Sequence, residues 1–140
     1  MTVKEYLNQA YRLDLRIDSK LGQVCSLRDL ATKATATMSD MPGSPSPNMH
    51  RTQDIIGKIV DLDNEINADI DRLIDLKREI VALIKRVENL EYQTLLEKRY
   101  LCFLSWEKIA VDMGYSCKWI KTLHERSLDA AARVYGNPVP

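Results

Sequence analysis

Ser105, Ala110, Gly114, Ser116, Ile120 and Leu123 stand at intervals that would cross two short helices so that the second presents a polar face outward. A small residue at 110 lets the helices approach, Gly114 makes the turn, and Ile120 with Leu123 anchor the second helix on the first; this is helix-turn-helix spacing. Lys118, Lys121, Thr122 and Glu125 project from the other side of the second helix, with Arg126 behind them and Ser116, Cys117 and Trp119 at its start. These side chains suit the reading of base edges. Lysine donates to guanine O6 and N7, threonine meets the thymine methyl, and glutamate accepts from cytosine N4. Locally, over residues 116–126, three basic residues face one acid, on a chain whose formal net charge is zero. Phosphate contacts from one copy are therefore few, and a second copy or a protein partner is expected to supplement them.

Other chemistries find little support. Cys25, Cys102 and Cys117 include no C-x-x-C pair, so neither a disulfide framework nor a zinc site is implied. Cys25 and Cys102 are expected to pack as small core residues. His50 lies in a proline-rich stretch and His124 in an apolar-periodic one, with nothing local pairing either to a cysteine nucleophile. No catalytic group, metal, cofactor or small-molecule substrate is expected, and the chain does not read as an enzyme.

The elements that must position the polar helix are themselves helical. Of 140 residues, 45% are hydrophobic and 29% charged, a globular balance, while five Gly and one Phe disfavour an all-β sandwich. The longest aliphatic run, Ile80 to Ile84, is far short of the ~20 residues that span a bilayer. No basic, then apolar, leader opens the chain. A soluble cytoplasmic protein with no membrane contact is expected.

Residues 3–36 carry Tyr6, Ala10, Leu13, Ile17, Leu21, Val24, Leu27 and Ala31 at spacings of three or four, one face of a helix. At ~34 residues and ~1.5 Å each this helix is too long to stand without a partner. Pro42, Gly43, Pro45 and Pro47 interrupt any helix across residues 39–51, leaving a connector. From 52 to 90 a heptad pattern runs through Ile59, Leu62, Ile66, Leu73, Leu76, Ile80, Leu83, Val87 and Leu90, with Asp69 the single polar residue in the stripe. Lys58, Glu65, Arg72, Glu79 and Arg86 alternate in sign beside it, and Ile56, Ile70 and Ile84 widen it. The expected fold is all-α: a long antiparallel helical hairpin over 1–90, then a three-helix helix-turn-helix domain over 91–136, with a tail at 137–140. The widened stripe leaves surface to bury, so a homo-oligomer is expected. Asp69 would be costly in the seam unless paired or solvent-reaching, and is a candidate register device.

Arg99-Tyr100, Ser105 to Ala110, Met113 to Ser116 and Leu123 to Leu128 together resemble region 4 of sigma-70-type factors. There a short supporting helix, here 94–104, precedes a promoter-reading helix-turn-helix. More narrowly, Met41-Pro42-Gly43-Ser44-Pro45, the Ile/Leu/Asp-rich helix 55–90 and the Arg-Tyr-Leu to Trp-Glu-Lys-Ile-Ala block make the chain similar to small Gram-positive phage and prophage proteins. Those are transcriptional regulators of the ArpU and RinA type. The resemblance implies a regulator in the bacterial host cytoplasm that binds double-stranded DNA through the helix 116–134, with Arg99, Lys108 and Lys118 on phosphates and RNA polymerase as a further partner. No region 2 is visible, so promoter melting is not implied. Trp119 replaces a smaller residue of that family and alters any inherited base preference. The alternative is a protein-interaction module that binds RNA polymerase or another host protein without touching DNA.

Overall fold

The computed structural model describes residues 1–38 and 47–136, which form five α-helices and no strand. They are α1 (Val3–Met38), α2 (Pro47–Lys85), α3 (Leu90–Tyr100), α4 (Trp106–Met113) and α5 (Cys117–Tyr135). The fold is all-α. The motif at 41–45, the rest of residues 39–46 and the tail at 137–140 lie outside the described residues, while 47–51, expected to belong to the connector, are helical.

Local chemistry sets the helix ends. A capping box opens α1: the Thr2 amide donates to Glu5 Oε2 and the Glu5 amide to Thr2 Oγ1, both at 3.2 Å. Helix α2 starts at Pro47, earlier than the residue near 52 that the pattern suggested, because a first-turn proline has no amide to lose. It stops at Lys85 although the heptads run on to Leu90. Asn89 takes the chain out of helix by capping α3, its side chain accepting from the Glu91 amide at 2.9 Å and the Tyr92 amide at 3.2 Å. Val87 is still buried, but Leu90 is exposed and is no part of the seam.

The chain divides into two compact units, Asp14–Arg72 and Met1–Leu13 with Leu73–Pro140. In the first, the later part of α1 runs antiparallel to the earlier part of α2. Ile17, Lys20 and Val24 are buried from α1, and Ile66 and Asp69 from α2. Lys20 donates to Asp69 Oδ2 at 2.7 Å, with Glu65 3.8 Å from the same ammonium and the Arg16 guanidinium 3.7 Å from the carboxylate. The expected inward residue was Leu21, which is exposed. Lys20 takes its place because the face that contains Ile17 and Val24 passes equally through position 20, and Asp69 opposite requires a cation. Its hydrogen bond with Lys20 holds the Asp69 carboxyl below its ordinary range despite burial. Cys25, one position beyond Val24, is turned outward and is not a core residue.

The second unit gathers the start of α1, the end of α2 and helices α3 to α5. Leu7, Ile80, Ile84, Leu95, Leu96, Ile109 and Ile120 are its largest fully buried aliphatic side chains. Tyr6 Oη donates to Glu79 at 3.2 Å and its ring lies 5.1 Å from that of Tyr135. Seam residues Leu73, Ile80, Leu83 and Val87 are buried here, while Ile59, Leu62 and Leu76 along α2 are half-buried. Helix α3 ends at Tyr100, short of the expected 104. The chain turns at Phe103, whose φ of 58° is left-handed, and whose ring sits between Tyr11 at 5.7 Å and the Lys77 ammonium at 4.7 Å. Cys102 is exposed on this turn, again contrary to a core role.

Candidate nucleic-acid interface

Helices α4 and α5 are delimited by the residues whose spacing singled them out. Ser105 caps α4, accepting from the Lys108 amide at 3.2 Å, and Ser116 caps α5, accepting from the Trp119 amide at 3.2 Å. Between them Gly114 adopts φ 74°, ψ 30°. The Tyr115 amide donates to Ala110 O at 3.0 Å and the Gly114 amide to Val111 O at 3.3 Å, the paired bonds of a Schellman turn. Leu95, Ile109, Ala110, Ile120 and Leu123 bury together at the crossing, with Tyr92, Leu104, Trp106 and Met113 packed around them. Helices α3, α4 and α5 all touch one another.

Beneath the crossing lies a polar cluster. Tyr100 Oη and His124 Nε2 are 2.6 Å apart, and the Trp106 ring meets His124 edge-on at 4.5 Å. Burial, with Lys4 and Arg99 adding repulsion, lowers the His124 pKa to about 4, while burial pushes Tyr100 up to about 12. Near neutral pH the imidazole is thus uncharged and hydrogen-bonds the Tyr100 hydroxyl through Nε2. Position 124 serves packing and takes no part in the exposed face.

That face belongs to α5. Ser116, Cys117, Lys118, Trp119, Lys121, Glu125 and Arg126 are exposed and Thr122 is half-buried. Lys118, Lys121, Thr122 and Glu125 share the side opposite Ile120, Leu123 and Ser127. Thr122 Oγ1 donates back to the Lys118 carbonyl at 3.3 Å, leaving its methyl as the contact group. Along the edge of the face the Arg126 guanidinium lies 5.2 Å over the Trp119 ring, and Trp119 keeps 40% of its surface exposed.

The two basic residues placed outside α5 are engaged in the fold. Arg99 stacks on Trp106 at 4.2 Å and donates to Leu104 O at 2.9 Å. Lys108 pairs with Asp112 at 3.2 Å, and Lys98 reaches the same carboxylate at 3.5 Å. The Lys108 hydrogen bond, then the nearby positive charges, lower the Asp112 pKa. Sequence reasoning passed over Tyr115, which is 41% exposed and meets Trp119 edge-on at 6.5 Å. Interaction with the Glu91 carboxylate raises the Tyr115 pKa. An aromatic residue between a turn glycine and a helix cap was the available signal.

A family model described as a protein of unknown function (DUF1492) matches residues 45–129. The chain belongs to this family. The DUF1492 match takes in α2 through most of α5, so the crossing and its exposed face fall within it, whereas α1 precedes it. No curated protein and no solved structure matches the chain. Among the described residues no cluster of three or more His, Cys, Asp or Glu could hold a metal ion, and no helix is long and apolar enough to cross a membrane.

Proposed function

We propose that this chain is a phage-type transcriptional regulator that binds double-stranded DNA through α5, seated in the major groove and braced by α4. One observation carries the reading. A capped helix, a Schellman turn and a second capped helix bury Ile109, Ala110, Ile120 and Leu123 on one side and turn Lys118, Lys121 and Glu125 outward on the other. That division of faces is what major-groove reading requires. The resemblance of this block to sigma region 4 supports the same assignment. The long α1–α2 portion then serves oligomerisation or partner docking, raising the effective affinity of a helix with only a modest basic face.

Titrating the full chain with duplex DNA at several salt concentrations tests this. Wild-type affinity should fall steeply with salt, and Lys118→Ala should reduce the log–log slope by about one, as loss of one phosphate contact does. Lys121→Ala should weaken binding and relax sequence preference if Lys121 reads a base.

A second reading has its own support. With Arg99 on Trp106 and Lys108 on Asp112, few cations outside α5 face a duplex, and the whole chain is formally neutral. On that reading the domain binds RNA polymerase or another host protein, and salt-sensitive DNA binding is absent.

A further inference from the structure

Helix α2 carries a second stripe beside its internal seam. Ile56, Val60, Asp63, Asn67, Ile70 and Ile74 follow one another at alternating spacings of four and three, each one residue after a seam position and so about 100° further round the helix. The four aliphatic members keep between 38 and 51% of their surface exposed, although the helix is unbroken from Pro47 to Lys85. Single exposed aliphatics are ordinary; four in heptad register on one face are not.

The stripe reads the same in both directions: two aliphatics, two polar residues, two aliphatics, centred on Glu65. We infer that this face of α2 is the contact for a second copy of the chain, packed antiparallel about a two-fold axis at the level of residue 65 along the helix. In that register Ile56 lies opposite the partner's Ile74, Val60 opposite the partner's Ile70, and Asp63 opposite the partner's Asn67. Each pair occurs twice, as an isologous interface demands. The polar layer selects the arrangement. A carboxylate meets an amide that can donate to it, whereas a parallel pair in register would oppose Asp63 to the partner's Asp63. An antiparallel slip of one heptad would set Asp63 against an aliphatic residue, leaving a buried carboxylate unpaired. The inference deepens the proposed function by assigning the oligomerising face, but association is measured without DNA and stands or falls separately.

Sedimentation equilibrium of the full chain over a hundredfold range of concentration gives the test. A reversible dimer is expected. Val60→Glu with Ile70→Glu, both on exposed positions, should weaken it by about a hundredfold or more while circular dichroism shows unchanged helix content. Asn67→Asp alone should weaken the dimer by opposing carboxylates, and adding Asp63→Asn should restore it. In a background with Cys25, Cys102 and Cys117 replaced by Ser, Val60→Cys and Ile70→Cys together should cross-link on oxidation. Neither alone should, since like positions stand ~15 Å apart along the axis. A monomer at every concentration overturns the proposal and leaves the stripe to another protein. A dimer indifferent to the Val60 and Ile70 changes, or a trimer, overturns it equally.

Discussion

Replacing Lys20 by Met should cost this fold more than the loss of any surface ion pair would. Lys20 and Asp69 lie 2.7 Å apart with side chains only 10% and 11% exposed, so the variant leaves a carboxylate in the seam without its main donor. Breaking a deeply buried pair costs ~3–5 kcal/mol, whereas losing an exposed one costs ~1 kcal/mol or less. A seam between two helices has water along both flanks, and Arg16 remains 3.7 Å from Asp69, which places the loss between those limits, at about 2 kcal/mol. With a urea dependence of ~2 kcal/mol per molar, the unfolding midpoint should fall by about 1 M. Lys20→Met combined with Asp69→Leu should recover most or all of the stability, because an apolar pair carries no desolvation cost. The pH dependence has a definite sign. The Asp69 pKa is lowered in the folded chain, so the unfolded chain binds the proton more readily. The pair's contribution is present above the ordinary carboxylate range and is lost as pH falls through the lower folded value. The double variant should lack that part of the acid limb. Equal midpoints for wild type and Lys20→Met would refute the assignment of this pair as a buried determinant.

Two further outcomes are expected of the helix-turn-helix. His124 is neutral in the folded chain with its pKa lowered to about 4, against about 6.5 unfolded, so stability is intact above ~6.5 and declines as pH falls toward ~4. His124→Gln, which keeps an acceptor for Tyr100, should flatten that decline in pH-dependent urea unfolding, and NMR titration of the wild-type ring should show the low value directly. Gly114→Ala should destabilise by about 1 kcal/mol in thermal or urea unfolding, since φ is +74° and a Cβ there meets nothing within 4 Å, leaving backbone strain as the cost. Gly114→Asn should cost less.

The crossing of α4 on α5 was legible because its determinants are local: two serine caps, one glycine with a left-handed φ, and apolar residues at fixed spacing. Asp69 was likewise readable as a residue needing a partner or a path to solvent. Its partner was not, because Lys20 and Leu21 both fit a helical face with Ile17 and Val24, and only the opposing carboxylate decides between them. Helix ends misled wherever a long-range pattern met a local competitor. The heptads continued through Val87, but Asn89 capped a new helix, and Phe103 turned the chain before residue 104. Cys25 and Cys102 were misjudged because residue type stood in for position: one lies a step beyond the seam and the other on a turn. At the candidate interface the exposed row on α5 followed from periodicity. The internal engagement of Arg99 and Lys108 did not, since it depends on Trp106, Leu104 and Asp112 being brought together by tertiary packing.

Whether α5 reads DNA is decided by selecting the purified full chain against random double-stranded DNA at low and at physiological salt. Enrichment of a defined motif that is lost with Lys121→Ala is the expected result, and a palindromic motif would match two copies related by a two-fold axis. No enrichment at either salt would contradict DNA reading by α5 and turn attention to RNA polymerase as the partner.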